Sequence, residues 1–524
     1  MKIKHTLYNL KNSISDRTTL RLRLSLVAAT VLSALLMTIA FPTPDLGWLA
    51  WVGLVPLFMA IDRSRSAMQA AAYSYLFGVI HWGWTTTWIG KTVVHWAGSD
   101  IGWLAWLILN LIESCWYAFF GLAAWALMRN AYVWQRPFIL ASLWTMLEWL
   151  RTMGSLAMPW SLIGYTQYRY LAIIQIAGLT GIYGVSFLIV LVNGALQLRL
   201  SRNSRPALCM EAVVVILLIG AIIYGCVELR RPVQGERVHL DIMQPDARSA
   251  RGDYPDPDRD YALFTKMASV LPTKTHAQTR ICLWPESISP GDAINDTQVR
   301  SFYSQLARTS HTWQFLGTYY EDAQGRPYNS AALFDPQGRP SGRYDKTQLV
   351  PFGEWTPARR WMPFPELFHY PTYDCVPGVI EDPLSAGPAR ICPLICYESA
   401  FPVITRRRTI RGANLLVCLT NDSWAGKSKV QWQHAAMGVF RAVETRRTFA
   451  ASTTTGITFI SDPFGRITTI PGYGIGNLSV EATLVTKLSL YVRAGDWFMG
   501  LCGIIIGSAL LSLYHARGRG VPQP

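Results

Sequence analysis

The chain has 524 residues, half of them hydrophobic and only 15% charged, with 21 Trp and 48 Lys and Arg against 33 Asp and Glu, a net charge of +15. Apolar content this high excludes a disordered or collagen-like chain, and scarce charge among long apolar runs argues against the polar, basic domain of a nucleic-acid binder. The length exceeds what one core usually covers, and a mean hydropathy of +0.19 is too low for a chain that is membrane throughout, so membrane and soluble parts are both expected.

A membrane-crossing helix needs roughly 17–25 apolar residues. Runs at about 24–41, 46–61, 68–89, 101–128, 137–150, 171–198, 211–229 and 494–514 predict eight spans, of which the second and fifth are short enough to be tilted, re-entrant or interfacial. The division that follows is a transmembrane domain at 1–230 with about seven spans, a soluble domain at 231–493, and a last span with its tail at 494–524. Short loops left in the cytoplasm keep Lys and Arg, whereas translocated ones lack them. With the N-terminus inside, the inside loops hold fifteen basic residues, among them Arg63, Arg65, Arg199, Arg202 and Arg205, while the outside short loops hold only Lys91, Arg151 and Arg169. Most of the charge surplus is therefore a topology signal, and it places the soluble domain on the outer face of the inner membrane. The first span has no small-x-small cleavage site after it and is expected to be retained. Trp48, Trp51, Trp82, Trp84, Trp88, Trp96, Trp103 and Trp106 gather near the outer span ends, as an aromatic belt would. Glu113 and Glu148 fall inside spans with no basic partner evident nearby, the one feature pointing toward a transporter.

From residue 231 onward, short β-rich runs alternate with helical ones, which predicts an α/β domain with helix-covered sheets. Three segments place a reactive side chain at a strand end, where sites are usually built: Glu286 in LWPES, Lys346 in YDKTQLVPFGEW and Cys396 in ICYES. A cysteine nucleophile needs a cation and a proton acceptor close by, and Lys346 and Glu286 have the chemistry for both roles. Nine cysteines, an odd number, imply no disulfide framework, and no His stands at zinc-ligand spacing around them. Cys375 or Cys392 would be open to oxidative pairing outside the cytoplasm. Two GK[ST] strings, at Gly90 and Gly426, lack the glycine five residues upstream that a phosphate loop requires, having Thr85 and Asn421 there instead. Neither HExxH nor GxSxG is present.

The ordered series LWPES, YDKTQLVPFGEW, ICYESAFP, LTNDSWAG, QWQH, FRAVETRR and TTTGITFISDPFGRI, within a frame of seven spans and one, resembles the bacterial apolipoprotein N-acyltransferases, membrane-embedded members of the nitrilase or carbon–nitrogen hydrolase superfamily. The resemblance covers almost the whole chain. It implies an α-β-β-α sandwich beside about eight membrane helices, and a catalytic Glu286–Lys346–Cys396 triad. It also implies support from Glu354, Tyr397 and Glu398, and no cofactor or metal. The implied reaction moves a fatty acyl group from a phospholipid, through a Cys396 thioester, to the α-amino group of a lipoprotein's diacylglyceryl-cysteine. A monomer and no nucleic-acid partner are expected. The aromatic Trp355–Pro377 loop is expected to serve either as a lid dipping into the interface or as a rigid packed loop. The chain departs from the family pattern at 245–258 and 424–430, where Trp424, Ala425 and Gly426 replace a WFG string. The residues by themselves leave open a membrane-tethered amidase or nitrilase and a transporter or receptor with a ligand-binding outer domain.

Overall fold

The computed structural model describes residues 2–97, 99–202, 204–247, 256–270, 277–357, 359–361, 374–379, 382–426, 428–470 and 473–518. Most of the Trp355–Pro377 loop and the centre of the 245–258 segment lie outside these residues.

Helices fill the first 229 residues, and this is a membrane protein. Five helices among the described residues are long and apolar enough to cross a bilayer: Leu20–Ala40, Ile101–Asn130, Ile182–Ser201, Arg205–Leu229 and Trp497–His515. Along Arg205–Leu229 the side chains of Val215, Ile216, Ile219 and Ile223 are exposed, a surface suited to lipid rather than water. The other three expected spans are shorter or less apolar. The 68–89 run becomes Ala67–Thr85 followed by Thr87–Ala97, and the 137–150 run becomes Arg136–Leu150, about 22 Å long at 1.5 Å per residue. The 46–61 run breaks at Leu54, between Ala50–Gly53 and Val55–Asp62. Asn193 of the buried helix Ile182–Ser201 repairs that break, accepting from the Leu54 amide at 2.8 Å and donating to the Ala50 carbonyl at 2.8 Å. Backbone groups in hydrocarbon have no water to turn to, so such a side chain must satisfy them.

Glu113 and Glu148 have local partners, which removes the hint of a transport path. Arg151, expected in an outer loop, is buried 3.4 Å from Glu113 and also donates to the carbonyls of Met158 and Trp160. Glu148 accepts from the Ile163 amide at 2.7 Å and the Trp144 indole at 2.9 Å. Together they tie down the irregular segment that follows Leu150. The tryptophans also divide: Trp48 and Trp84 are exposed as a belt requires, but Trp82 is fully buried and Trp88 packs between Trp160 and Trp424.

The α/β domain contains, among the described residues, twelve strands: β1 Glu236–Gln244, β2 Arg280–Leu283, β3 Trp313–Glu321, β4 Pro327–Phe334, β5 Pro340–Asp345, β6 Leu384–Ala386, β7 Ala389–Ile395, β8 Leu415–Thr420, β9 Thr448–Thr453, β10 Thr458–Ser461, β11 Ile467–Ile470 and β12 Gly476–Leu484. They form two six-stranded sheets in the orders β12-β1-β2-β3-β4-β5 and β11-β10-β9-β8-β7-β6. Alternation along the strands builds the layers. Ile391 and Ile395 of β7, with Leu415, Val417 and Leu419 of β8, meet Val238, Leu240, Ile281 and Leu283 between the sheets. Cys282 and Leu316 face the other way, toward Phe264, Val299 and Tyr303 of the helices Pro257–Ser269 and Thr297–Ser310. On the second sheet Cys392, Leu394, Leu416 and Cys418 face the helix Val430–Thr445. The result is the α-β-β-α sandwich.

That last layer is continuous with the membrane frame. Met437, Val439 and Phe440 share one core with Trp160, Leu162, Tyr165 and Ile174. Buried Glu444, paired with Arg441 at 2.9 Å, accepts from the Ile182 amide at 2.8 Å and so caps the start of the central membrane helix.

Candidate active site

The three reactive residues follow carboxyl ends of strands: Glu286 after β2, Lys346 directly after β5 and Cys396 directly after β7. Two sheets therefore contribute to one site. Cys396 opens a short 3-10 turn, Cys396–Ala400, with a φ of 49°, and Ser287 and Phe352 beside the other two segments have φ of 50° and 63°. Left-handed backbone at non-glycine residues costs about 1–2 kcal/mol each, and its gathering here marks a site whose surroundings impose the geometry.

Lys346 Nζ lies 3.3 Å from Glu286 Oε1 and 2.8 Å from Glu354 Oε1. Asn329 Nδ2 donates to the same two oxygens, at 2.8 and 2.6 Å. The second Glu286 oxygen accepts from the Asn421 amide at 3.0 Å, and the second Glu354 oxygen from the Val350 amide at 2.7 Å. All three reactive residues are nearly water-free, with exposures of 6% for Glu286, 1% for Lys346 and 6% for Cys396. Burial raises the Glu286 pKa; Lys346 pulls it down and Glu354 pushes it up, leaving it above the ordinary carboxylate value. Burial disfavours charge on Lys346, yet Glu354, Glu286 and Cys396 outweigh this and hold it well above the usual lysine value. Burial and then the Glu286 charge push the Cys396 thiol well up, against Lys346. The resting arrangement is thus a neutral thiol near an ammonium and a carboxylate, set up to give the thiol proton to the carboxylate only when the sulfur attacks.

The supporting residues have separate tasks. Glu398 is fully buried and joins the Cys396 turn to the Lys346 turn. Its Oε2 accepts from the Ile395 amide at 2.8 Å, and its Oε1 from the Tyr344 hydroxyl at 2.6 Å, the Thr347 hydroxyl at 2.7 Å and the Thr347 amide at 2.8 Å. Tyr397 reaches into the membrane frame, donating to the Ala157 carbonyl at 2.6 Å and stacking on Trp160 at 6.3 Å. Glu354 holds the lysine.

Sequence reasoning missed Asn329, Arg408 and His434. A polar, strand-averse Asn inside YNSAALFD was the available signal for Asn329. Arg408, fully buried, donates to the Tyr344 hydroxyl at 2.6 Å and to the Pro393 carbonyl. His434 Nε2 is 3.0 Å from the Cys396 carbonyl and 2.6 Å from Ser399 Oγ, and its Nδ1 is 3.3 Å from Asp422. Burial opposes charge on this ring, but Asp422 and the Cys396 carbonyl raise its pKa. The Ser399–His434–Asp422 array imitates a hydrolase triad, but Ser399 is buried against a cavity of only about 10 Å³, too small for a substrate. Its visible work is to hold the Cys396 carbonyl.

Comparison with known proteins fits both halves of the chain. The apolipoprotein N-acyltransferase N-terminal domain matches residues 33–195, and carbon–nitrogen hydrolase matches residues 261–482. An apolipoprotein N-acyltransferase of Geobacter metallireducens is 31% identical over 506 residues, covering 94% of this chain and 95% of its own length. The chain belongs to the apolipoprotein N-acyltransferase family. A second member, from Methylococcus capsulatus, is 29% identical over 90% of this chain and 93% of its own. Among solved structures, a Nesterenkonia amidase of the nitrilase superfamily aligns at 22% identity over 52% of this chain and 98% of its own, with a TM-score of 0.38.

In this N-acyltransferase one glycine sets the position of Glu286. A Cβ on Gly317 of β3 would stand 2.5 Å from the Glu286 Cα and 2.6 Å from the Pro285 carbonyl oxygen. Backbone rather than a flexible side chain would have to move. Gly317→Ala is expected to lower the transfer rate by about 10–100-fold, since displacements near 1 Å at a reacting group have that effect. Steady-state kinetics on the purified variant would check this, and an unchanged rate would show that the Glu286 turn tolerates the shift.

Proposed function

We propose that the protein transfers a fatty acyl group from a phospholipid to the α-amino group of a lipoprotein's N-terminal diacylglyceryl-cysteine, with Glu286, Lys346 and Cys396 as the catalytic residues. The observation that carries this reading is the meeting of these three side chains, buried, beside a frame whose outer helices are exposed and apolar. In the first half-reaction Glu286 takes the Cys396 proton as the sulfur attacks the ester carbonyl carbon. Lys346, with the backbone amide that follows Cys396, stabilises the oxyanion. Donors aimed this way are worth about 3–4 kcal/mol each. Collapse of the intermediate breaks the ester C–O bond, and the departing lysophospholipid oxygen takes the proton back from Glu286. In the second half the lipoprotein amine attacks the thioester, Glu286 accepts its proton, and Cys396 leaves and is reprotonated. An ester has become an amide through a covalent intermediate.

The division at 1–230, 231–493 and 494–524 fits this work as membrane frame, catalytic domain and closing span. Both substrates carry acyl chains, whose withdrawal into water costs about 0.8 kcal/mol per CH₂. An inner-membrane protein with its catalytic domain facing the periplasm is supported by the basic residues concentrated in the inside loops.

The test is incubation of purified protein with phospholipid vesicles and a diacylglyceryl-cysteine peptide, followed by mass spectrometry. The peptide is expected to gain one acyl group on its amine; release of ammonia from small amides without acyl transfer would favour an amidase instead. Because the base works deprotonated, kcat/KM is expected to rise with pH through a midpoint above the ordinary carboxylate value. It should stay high through neutrality, since Lys346 keeps its proton until well above the usual lysine value. Glu286→Gln should remove that limb together with the activity.

A further inference from the structure

The largest of the cavities described lies outside the catalytic triad, at the seam between the outer ends of the membrane helices and the outer domain, with a volume of about 620 Å³. The segments carrying the two GK strings, rejected as phosphate loops on their spacing, both reach it. Lys91 from Thr87–Ala97, and Ser428 and Lys429 from the turn before Val430–Thr445, line its wall, and no Asp or Glu is among the described residues that do so. Lys429 Nζ is 3.0 Å from the Trp84 carbonyl and stands over the Trp84 ring at 4.9 Å. Burial and then the Lys91 charge lower the Lys429 pKa to about 8, as expected of two cations that share a space without an anion between them.

Two successive ring contacts link the cavity to the turn that carries Cys396. Trp88 lines it, packs on Trp160 at 4.9 Å, and through Trp160 reaches Tyr397, the residue after Cys396. Gln431 and Ile457 line both this cavity and the small one at His434. Exposed Trp84 and Trp48 mark the level where lipid headgroups lie.

We propose that Lys91 and Lys429 form a binding site for the phosphodiester of the phospholipid donor, seating its headgroup in the seam cavity so that its ester reaches Cys396. The proposal rests on the acyl-transfer reading above and adds a division of labour to it. The donor carries a phosphate, and the diacylglyceryl-cysteine acceptor carries none there. The lysine pair therefore serves only the first half-reaction, and the lysophospholipid product leaves from the same seat. Lysines bind phosphate as point charges, so both are needed for strength while neither enforces a bidentate geometry.

The experiment compares wild type with the double variant Lys91→Ala/Lys429→Ala in the formation of the Cys396 thioester, followed by intact-protein mass spectrometry. One arm supplies phosphatidylethanolamine vesicles and another diacylglycerol in neutral detergent; a third adds inorganic phosphate to the vesicle arm. The variant is expected to acylate at least about tenfold more slowly from phosphatidylethanolamine and at the wild-type rate from diacylglycerol. Transfer of a preformed thioester to the lipopeptide should be unchanged. Equal losses with both donors would overturn the proposal in favour of a structural role, and no loss with either would overturn it outright. Inhibition of wild type by inorganic phosphate, without discrimination between donors in the variant, would also overturn it by pointing to a free-anion site. A wild-type protein that forms no thioester from any donor would instead remove the acyl-transfer reading itself.

Discussion

Cys396→Ala is expected to reduce acyl transfer by at least about 10³-fold and to leave no acyl mass on the protein after incubation with phospholipid. Of the other described cysteines, Cys392 and Cys418 are fully buried on the far face of the second sheet. Cys375 lies beside the site, its amide donating to the Glu354 carbonyl at 2.8 Å, but burial and then the Glu354 charge raise its thiol to about 11. A glycine at the same position separates chemistry from stability. Because Cys396 has a φ of 49°, Cys396→Gly should be at least as stable as Cys396→Ala, reversing the usual order in which glycine is the poorer residue. Thermal unfolding of the two inactive variants in the same detergent measures this directly. If alanine proves clearly the more stable, the turn is not strained. If Cys396→Ala retains transfer, the nucleophile lies elsewhere.

The buried surroundings of Cys396 explain why a superfamily rich in hydrolytic chemistry would here support transfer. A thioester survives only where water is scarce, and the helix layer on the second sheet packs onto the membrane frame instead of facing solvent. Tyr397 is anchored on the Ala157 carbonyl, and Arg151 holds the neighbouring Met158 and Trp160 carbonyls from within the frame. The segment that Arg151 ties down thus positions Tyr397, the residue after Cys396. Loss of the Arg151–Glu113 pair would reach the active site through that segment.

Local pattern made much of this legible. The Cys396, Lys346 and Glu286 segments could be found because each is a run of strand formers ending in a turn, and the layer faces of β7 and β8 follow from strict alternation. What escaped depends on contacts between distant residues. Asn329 meets Glu286 and Glu354 from 43 and 25 positions away, and no spacing rule encodes that. Arg151 counted as an outer-loop charge because nothing local shows that the chain after Leu150 turns back into the frame toward Glu113. Trp88 looked like one more belt residue until the α/β domain supplied Trp424 against it. Length alone also does not show that the 46–61 run breaks at Leu54, a break that is viable because Asn193 lies across from it.

Lys346→Met is expected to produce the largest combined loss, about 3–5 kcal/mol of stability and at least about 10²-fold in rate. The stability term comes from leaving Glu286 and Glu354 buried without their cation. The rate term comes from removing an oxyanion donor, and the two can be separated. Adding Glu354→Gln removes one of the stranded charges, so the double variant should recover part of the stability and none of the activity. The sign of the pH dependence gives a second check. The Lys346 pKa is raised on folding, so its contribution is fully present below the ordinary lysine value and is lost only as pH rises through the higher folded one. Around neutrality the wild-type contribution of this lysine is therefore constant. In Lys346→Met the stranded Glu286, which burial already holds above the ordinary carboxylate value, takes up a proton as pH falls, so the gap in stability to wild type should narrow on going from pH 8 toward pH 5. A gap that stays constant or widens over that range would mean that the loss arises from packing around the lysine stem, not from the unpaired carboxylates.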